Sequence, residues 1–201
     1  MKTLGPWAAL AVAAALGCAA GSPSLATGDA SVAVDATTAG DGSNATDAGI
    51  TADNRIEGGV GSAPFARVVR AWWIGTPDSP DTTVVYVFDG DVPCAALGAP
   101  GWDTRIADGT QVLEVKLLGT ALQAYPVVGG PLPGPGEASV NYTLSRQRGT
   151  PTELVANRGS AALAARQTSV SASGSFDLTF TSGGTLRGVF NAAWCPGGHE
   201  P

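Results

Sequence analysis

Reactive side chains are sparse in this 201-residue chain, whose three cysteines, Cys18, Cys94 and Cys195, and one histidine, His199, are spread over its whole length. A serine or cysteine nucleophile needs a base beside it. That base would have to be His199, which sits in the tail that begins at Pro196, a position better suited to a solvated polar residue. Zinc asks for closely spaced thiolate and imidazole ligands, and the cysteines and the histidine have no such spacing. Asp89-Gly90-Asp91, with Asp103 and Asp108 in the same stretch, offers hard oxygen ligands of the kind calcium takes. The interval of an EF-hand loop is missing, and Asp-Gly pairs are ordinary turn residues, so a turn is the favoured reading. No carboxylate pair stands out for glycoside hydrolysis. The expectation is a protein with no catalytic site, no metal and no cofactor.

Aromatic residues offer the one hint of a binding surface. Trp72 and Trp73 are adjacent on a predicted strand, so their side chains point to opposite faces. One core on one side of a sheet cannot take both. With Trp102, in the long connection from Val92 to Gly109, the outer tryptophan could form a platform for a sugar or a peptide. The alternative is that the connection folds over it.

What the thiols can do depends on where the chain goes. Lys2 precedes an apolar run from Ala8 to Gly17, too short to span a bilayer as a helix, and together they read as a signal peptide. Ala15-Leu16-Gly17-Cys18 resembles the bacterial lipobox, in which a small residue precedes a cysteine that is lipidated and becomes the mature N-terminus; here Leu16 stands one place late. The expectation is that residues 1–17 are removed and Cys18 carries lipid, against the alternative of ordinary secretory cleavage near Ala19 or Ala20. Ala19, rather than Asp, follows the cysteine. The resemblance then implies delivery to the outer membrane of a Gram-negative cell envelope. With Cys18 consumed, Cys94 and Cys195 remain in a chain exported past the reducing cytoplasm, and that even remainder predicts a disulfide between them.

Residues 18–54 are rich in Ala, Gly, Ser, Thr and Asp, and their only charges are Asp29, Asp35, Asp41, Asp47 and Asp53. Such a composition buries too little apolar surface to offset ordering entropy, so a disordered spacer is expected. The formal net charge is -6, but 5 of the 17 acidic residues lie in the spacer and all basic residues except Lys2 lie beyond it. The part from Arg55 to Pro201 is therefore close to neutral, which gives no reason to expect nucleic acid as a partner.

That part has the length of a single domain with one core. Short alternating runs recur between Gly, Pro and Asp clusters, predicting strands at Phe65 to Ile74, Thr82 to Asp89, Thr110 to Leu118, Ala121 to Val128, Ala138 to Ser145, Gly159 to Gln167, Val170 to Thr181 and Thr185 to Trp194. Leu113, Val115 and Leu117 should face a core, as should Val140, Tyr142 and Leu144. The run Ala161 to Ala165 has helix propensity, but a helix so short would be marginal between strands. An all-β fold of about eight antiparallel strands follows, as one sandwich or partly closed barrel. No crossover helix is available for parallel pairing.

The strongest pattern is the last hairpin, GSFDLTFTSGGTLRGVFNAAWC, from Gly174 to Cys195. Gly174, Phe176, Asp177, Phe180, Gly188, Phe190, Ala192 and Cys195 make it resemble the C-terminal hairpin of uncharacterised secreted β-domain lipoproteins abundant in myxobacteria. Cys94, a few residues after an early strand, matches that family as well. The resemblance implies a secreted β domain and no particular activity. Anchor, spacer and domain together lead to a lipid-anchored binding or structural module of the cell envelope, held to the membrane by an N-terminal lipid and meeting a protein or glycan partner. A carbohydrate- or small-ligand-binding protein is the alternative.

Overall fold

The computed structural model describes residues 54–65, 67–76, 79–130, 132–146 and 150–198; residues 1–53, with the expected signal peptide, Cys18 and nearly all of the expected spacer, and His199 lie outside them. Among the described residues ten strands share one sheet: β1 (Arg55–Val60), β2 (Ala63–Pro64), β3 (Arg70–Thr76), β4 (Ser79–Phe88), β5 (Gln111–Leu118), β6 (Ala124–Pro126), β7 (Ala138–Leu144), β8 (Thr152–Gln167), β9 (Ser171–Phe180) and β10 (Gly184–Trp194). Each of the eight predicted strands has a counterpart. β1 and β2 were not foreseen, and β8 starts seven residues early. Phe65 to Val69 precede β3 rather than belonging to it.

Seven of the strands close a barrel. β3, β4, β5, β7, β8, β9 and β10 follow one another antiparallel, and β10 returns to pair with β3. An odd number of strands that alternate in direction must close with one like-directed pair, and β10 and β3 are parallel. This corrects the expectation of antiparallel pairing throughout. No crossover helix is needed, because the whole barrel is the connection. The seam is short: Ala193 partners Trp72 and Trp194 partners Trp73, extended by the Cys195 N–H donating to the Trp73 carbonyl at 3.0 Å. The rest of that edge of β10 is taken by β1.

The interior is solid. Leu113, Val115, Leu117, Val140 and Tyr142 point inward as alternation predicts, joined by Trp73, Val85, Val87, Leu163, Phe176, Leu178, Leu186 and Phe190. Leu144 is only partly buried against them. The outward faces of β9 and β10 carry exposed Ser175, Asp177, Thr179, Thr185 and Arg187, the reverse of a membrane-spanning barrel, whose outside is apolar. No helix among the described residues is long and apolar enough to cross a membrane. The β9–β10 turn uses Gly183 and Gly184, both at positive φ (86° and 95°), which a residue with a Cβ resists.

A second apolar cluster lies outside the barrel wall. The run Val84 to Phe88 is apolar on both faces because both are covered: Val85 and Val87 look into the barrel, while Val84, Tyr86 and Phe88 look out beneath the connection from Asp89 to Thr110. That connection holds two short 3-10 helices, Cys94–Gly98 and Trp102–Thr104. It presses Val92, Leu97, Trp102 and Ile106 onto Trp72, Ile74 and Val112. Trp102 stands edge-on to Tyr86 and Phe88 at centroid distances of 5.1 and 5.8 Å. The Cys94–Cys195 disulfide ties the connection to the end of β10, beside the seam.

Candidate functional site

The aromatic platform is not formed. Trp72 and Trp102 do come together, but beneath the connection and at 5% and 1% exposure, and the Trp72 indole N–H donates to the Val92 carbonyl at 2.7 Å. Trp73, on the opposite face of β3, is 1% exposed inside the barrel. The connection supplies the cover that the first tryptophan needs and the barrel supplies it for the second. The acidic residues of the connection have separate structural tasks: Asp89 accepts the Gln111 N–H, and exposed Asp91 holds the buried Arg70 guanidinium at 2.7 Å. Among the described residues no group of three or more potential metal ligands forms. A cleft of about 270 Å3 lies over the connection, between Asp91, Pro93, Arg105 and Thr110. A wider depression of about 650 Å3 crosses β1 and β10, where Arg55 with Glu57 and Arg187 with Asp177 form well-exposed ion pairs, a solvated ladder of the sort that adds little.

The two ends of the barrel carry its polar interior groups. At the end where β4 finishes, Asp89, which directly follows β4 and continues its alternation beyond Val87, joins Gln111 of β5 and Tyr142 of β7 on the inward side. Burial raises the Asp89 carboxyl above its ordinary value against the opposing effects of its hydrogen bond to Gln111 and the Arg67 charge, and burial with the Asp89 charge raises the Tyr142 phenol. The Tyr142 hydroxyl and the Gln111 side-chain oxygen find no partner among the described residues. This end is stoppered. Phe65 is 3% exposed in the core, and the Gln111 amide donates to the neighbouring Pro64 carbonyl.

The opposite end, where the seam closes, gathers Trp73, Trp194, Arg166 and Thr83. Alternation along β10 puts Trp194 on the same face as Leu186, Phe190 and Ala192, and its ring meets that of Trp73 at 4.4 Å. Arg166 reaches the inward face through a β-bulge: Leu163 pairs with Gly174, the register then slips, and Arg166 rather than Ala165 stands opposite buried Ala172. Bulges re-aim side chains in this way. The guanidinium carbon lies 5.1 Å from the Trp73 ring centroid, a cation–π contact worth about 0.5–2 kcal/mol. Thr83 is the next inward residue of β4 after Val85, the partner of Trp73, so it is a diagonal neighbour of the indole. The Trp73 Nε1, Thr83 Oγ1 and Arg166 Nε atoms are all buried without a hydrogen-bond partner among the described residues. Burial raises the Tyr125 phenol, its hydroxyl donates to Ala121, and the Arg166 charge nearby works the other way.

Comparison with protein-family models, curated proteins and solved structures finds no match for this chain. Of this site the sequence singled out Trp73 alone. Trp194 carried a usable signal, since it closes the alternating face of the last strand. Arg166 carried none, because a bulge breaks the period that assigns faces.

Proposed function

We propose that this chain is a lipid-anchored binding module of the cell envelope, tethered through Cys18 and a spacer, with no catalytic role assigned to the barrel. The observation that carries the binding reading is where polar and aromatic groups lie: the barrel interior is filled by side chains, and at the seam end Arg166 stacks on Trp73 while the Arg166 Nε, Trp73 Nε1 and Thr83 Oγ1 atoms have no hydrogen-bond partner among the described residues. A filled barrel has no lumen for a ligand, so contacts fall to its ends and outer surface. Trp194, only partly buried, is the aromatic residue that favours the second reading, a carbohydrate- or small-ligand-binding protein with its ligand at this end rather than on Trp72 and Trp102. The anchor is tested by fractionating cells that express the wild type and a Cys18→Ser variant. The wild type should partition with membranes and the variant should not, while both keep the same near-ultraviolet circular dichroism. A wild type found wholly in the soluble fraction refutes the anchor.

A further inference from the structure

We infer that the seam end of the barrel is a lipid-contacting face, which rests its uncharged loops on the bilayer to which the chain is tethered. The inference rests on the lipid-anchored reading and goes beyond it, since a tether alone leaves the domain free to point any way. Four large apolar side chains are exposed among the described residues: Leu122, Leu132, Val170 and Val189. A single exposed aliphatic residue is ordinary, but three of these four, at 63%, 79% and 50% exposure, lie on loops of one end. Hydrogen bonds hold each loop there. Val170 is in the β8–β9 turn, and its carbonyl accepts the Trp194 N–H at 2.9 Å. Leu122 is in the β5–β6 link, where the Gln123 carbonyl accepts the Leu163 N–H of β8 at 3.0 Å. Leu132 is in the β6–β7 link, pinned on both sides: the Val128 N–H donates to Ala138, the first residue of β7, and the Gly136 N–H to Leu118, the last of β5. Trp194, partly buried, ends β10 on the same side, and tryptophan favours the membrane–water boundary.

Charge divides the two ends. No charged residue occurs from Leu117 to Gly136, from Gln167 to Phe176 or from Gly188 to Gly198. The charges nearest these loops are Asp81 near the start of β4, Arg166 against the Trp73 ring, and Glu137, whose carboxylate accepts the Gly134 N–H. The connection and the β7–β8 link, which leave from the opposite end, carry Asp91, Asp103, Arg105, Asp108 and Arg146. Entering the headgroup layer strips water from a side chain, which favours aliphatic and aromatic groups and penalises charges. A protein could also cover an apolar face, and the tether selects the bilayer. The described chain begins at Asn54, whose side-chain amide bonds to the N–H and the carbonyl of Asn191, three residues before Trp194. The segment from Cys18 therefore joins the domain in its seam-end half. Asn54 is 36 residues beyond Cys18, and a flexible chain of that length spans about 30–36 Å. Tethering at such reach gives an effective concentration of millimolar order, at which a contact too weak to hold a free protein is occupied. The polar outer faces of β9 and β10 stay in water, as in a domain that lies on a membrane without spanning it.

The test uses the mature chain with a histidine tag in place of residues 1–18, held on vesicles by a nickel-chelating lipid, so that a tether is present whether or not Cys18 is acylated. Tryptophan emission is compared on phosphatidylcholine vesicles with brominated and with plain acyl chains, and again with phosphatidylglycerol added. Brominated lipid should quench part of the emission, to the same extent with and without phosphatidylglycerol because the face carries almost no charge. A Leu122→Ser, Leu132→Ser, Val170→Ser triple variant should lose this quenching several-fold and keep its thermal midpoint, since all three side chains are exposed. Absence of quenching in the tethered wild type overturns the inference and leaves the face to a protein partner. Quenching that the triple variant retains, or that appears only with phosphatidylglycerol, overturns it as well. Fractionation reports on the natural anchor, so failure of that reading and failure of this one are distinguishable.

Discussion

Removing the Cys94–Cys195 bond should cost this domain much of its stability. The bond spans 101 residues of sequence, and for a loop of about that length the chain-entropy relation gives about 4.7 kcal/mol. A domain's net stability is only about 5–15 kcal/mol. At about 2–4 °C per kcal/mol for a chain of this size, the thermal midpoint should fall by roughly 10–20 °C. The location predicts which parts loosen first. Cys195 directly follows Ala193 and Trp194, the two residues that pair β10 with β3, and Cys94 begins the 3-10 helix of the connection that covers Trp72 and Trp102. Losing the bond frees the barrel seam and that cover together. Thermal unfolding followed by circular dichroism, on oxidised protein and on a Cys94→Ala, Cys195→Ala double variant, measures the global cost. Tryptophan emission below the transition should shift to the red in the variant as the covered indoles meet water. A midpoint lowered by less than about 3 °C, with emission unchanged, would refute the reasoning and leave packing alone as the force that closes the seam.

Two further substitutions probe the stoppered end. Burial raises the Asp89 carboxyl above its ordinary 3.8, so the native state holds this proton more tightly than the unfolded chain does. The stability this contributes is complete below 3.8 and is lost as the pH rises through the raised native value. Asp89→Asn keeps an acceptor for the Gln111 N–H, and it should remove that fall and leave the midpoint at neutral pH at or above wild type; an unchanged pH profile counts against it. Tyr142→Phe removes a hydroxyl that is buried without a partner among the described residues. It should be neutral or stabilising by up to about 1 kcal/mol in urea unfolding, whereas a loss greater than that would reveal a bond the hydroxyl makes.

Local order was legible because it has a local cause. Alternation is a property of neighbouring residues, so β5, β7, β9 and β10 could be read with their inward faces, and Leu113, Val115, Leu117 and Val140 are fully buried. Cysteine number and the inferred compartment were enough to pair Cys94 with Cys195. Two glycines in Arg55–Val60 blunt the strand pattern of β1, and Asn157 and Ala164 fall where the register of β8 slips, which hid its first half and the inward turn of Arg166.

The composition and periodicity of this chain determined that it would be all-β, with short strands joined by turns and apolar faces that had to be covered. Only the tertiary structure decided between sandwich and barrel, because closure depends on a contact between the first and last barrel strands that neither strand's own pattern encodes. An odd number of strands then forced the parallel seam. The same closure decided the fate of the tryptophans: Trp72 and Trp73 had to face opposite ways, but whether either met solvent depended on the connection and the barrel packed against them. Trp194 and Arg166 acquired their place beside Trp73 in this way too, one by following the seam and the other by a single-residue slip in register, and long-range pairing sets both.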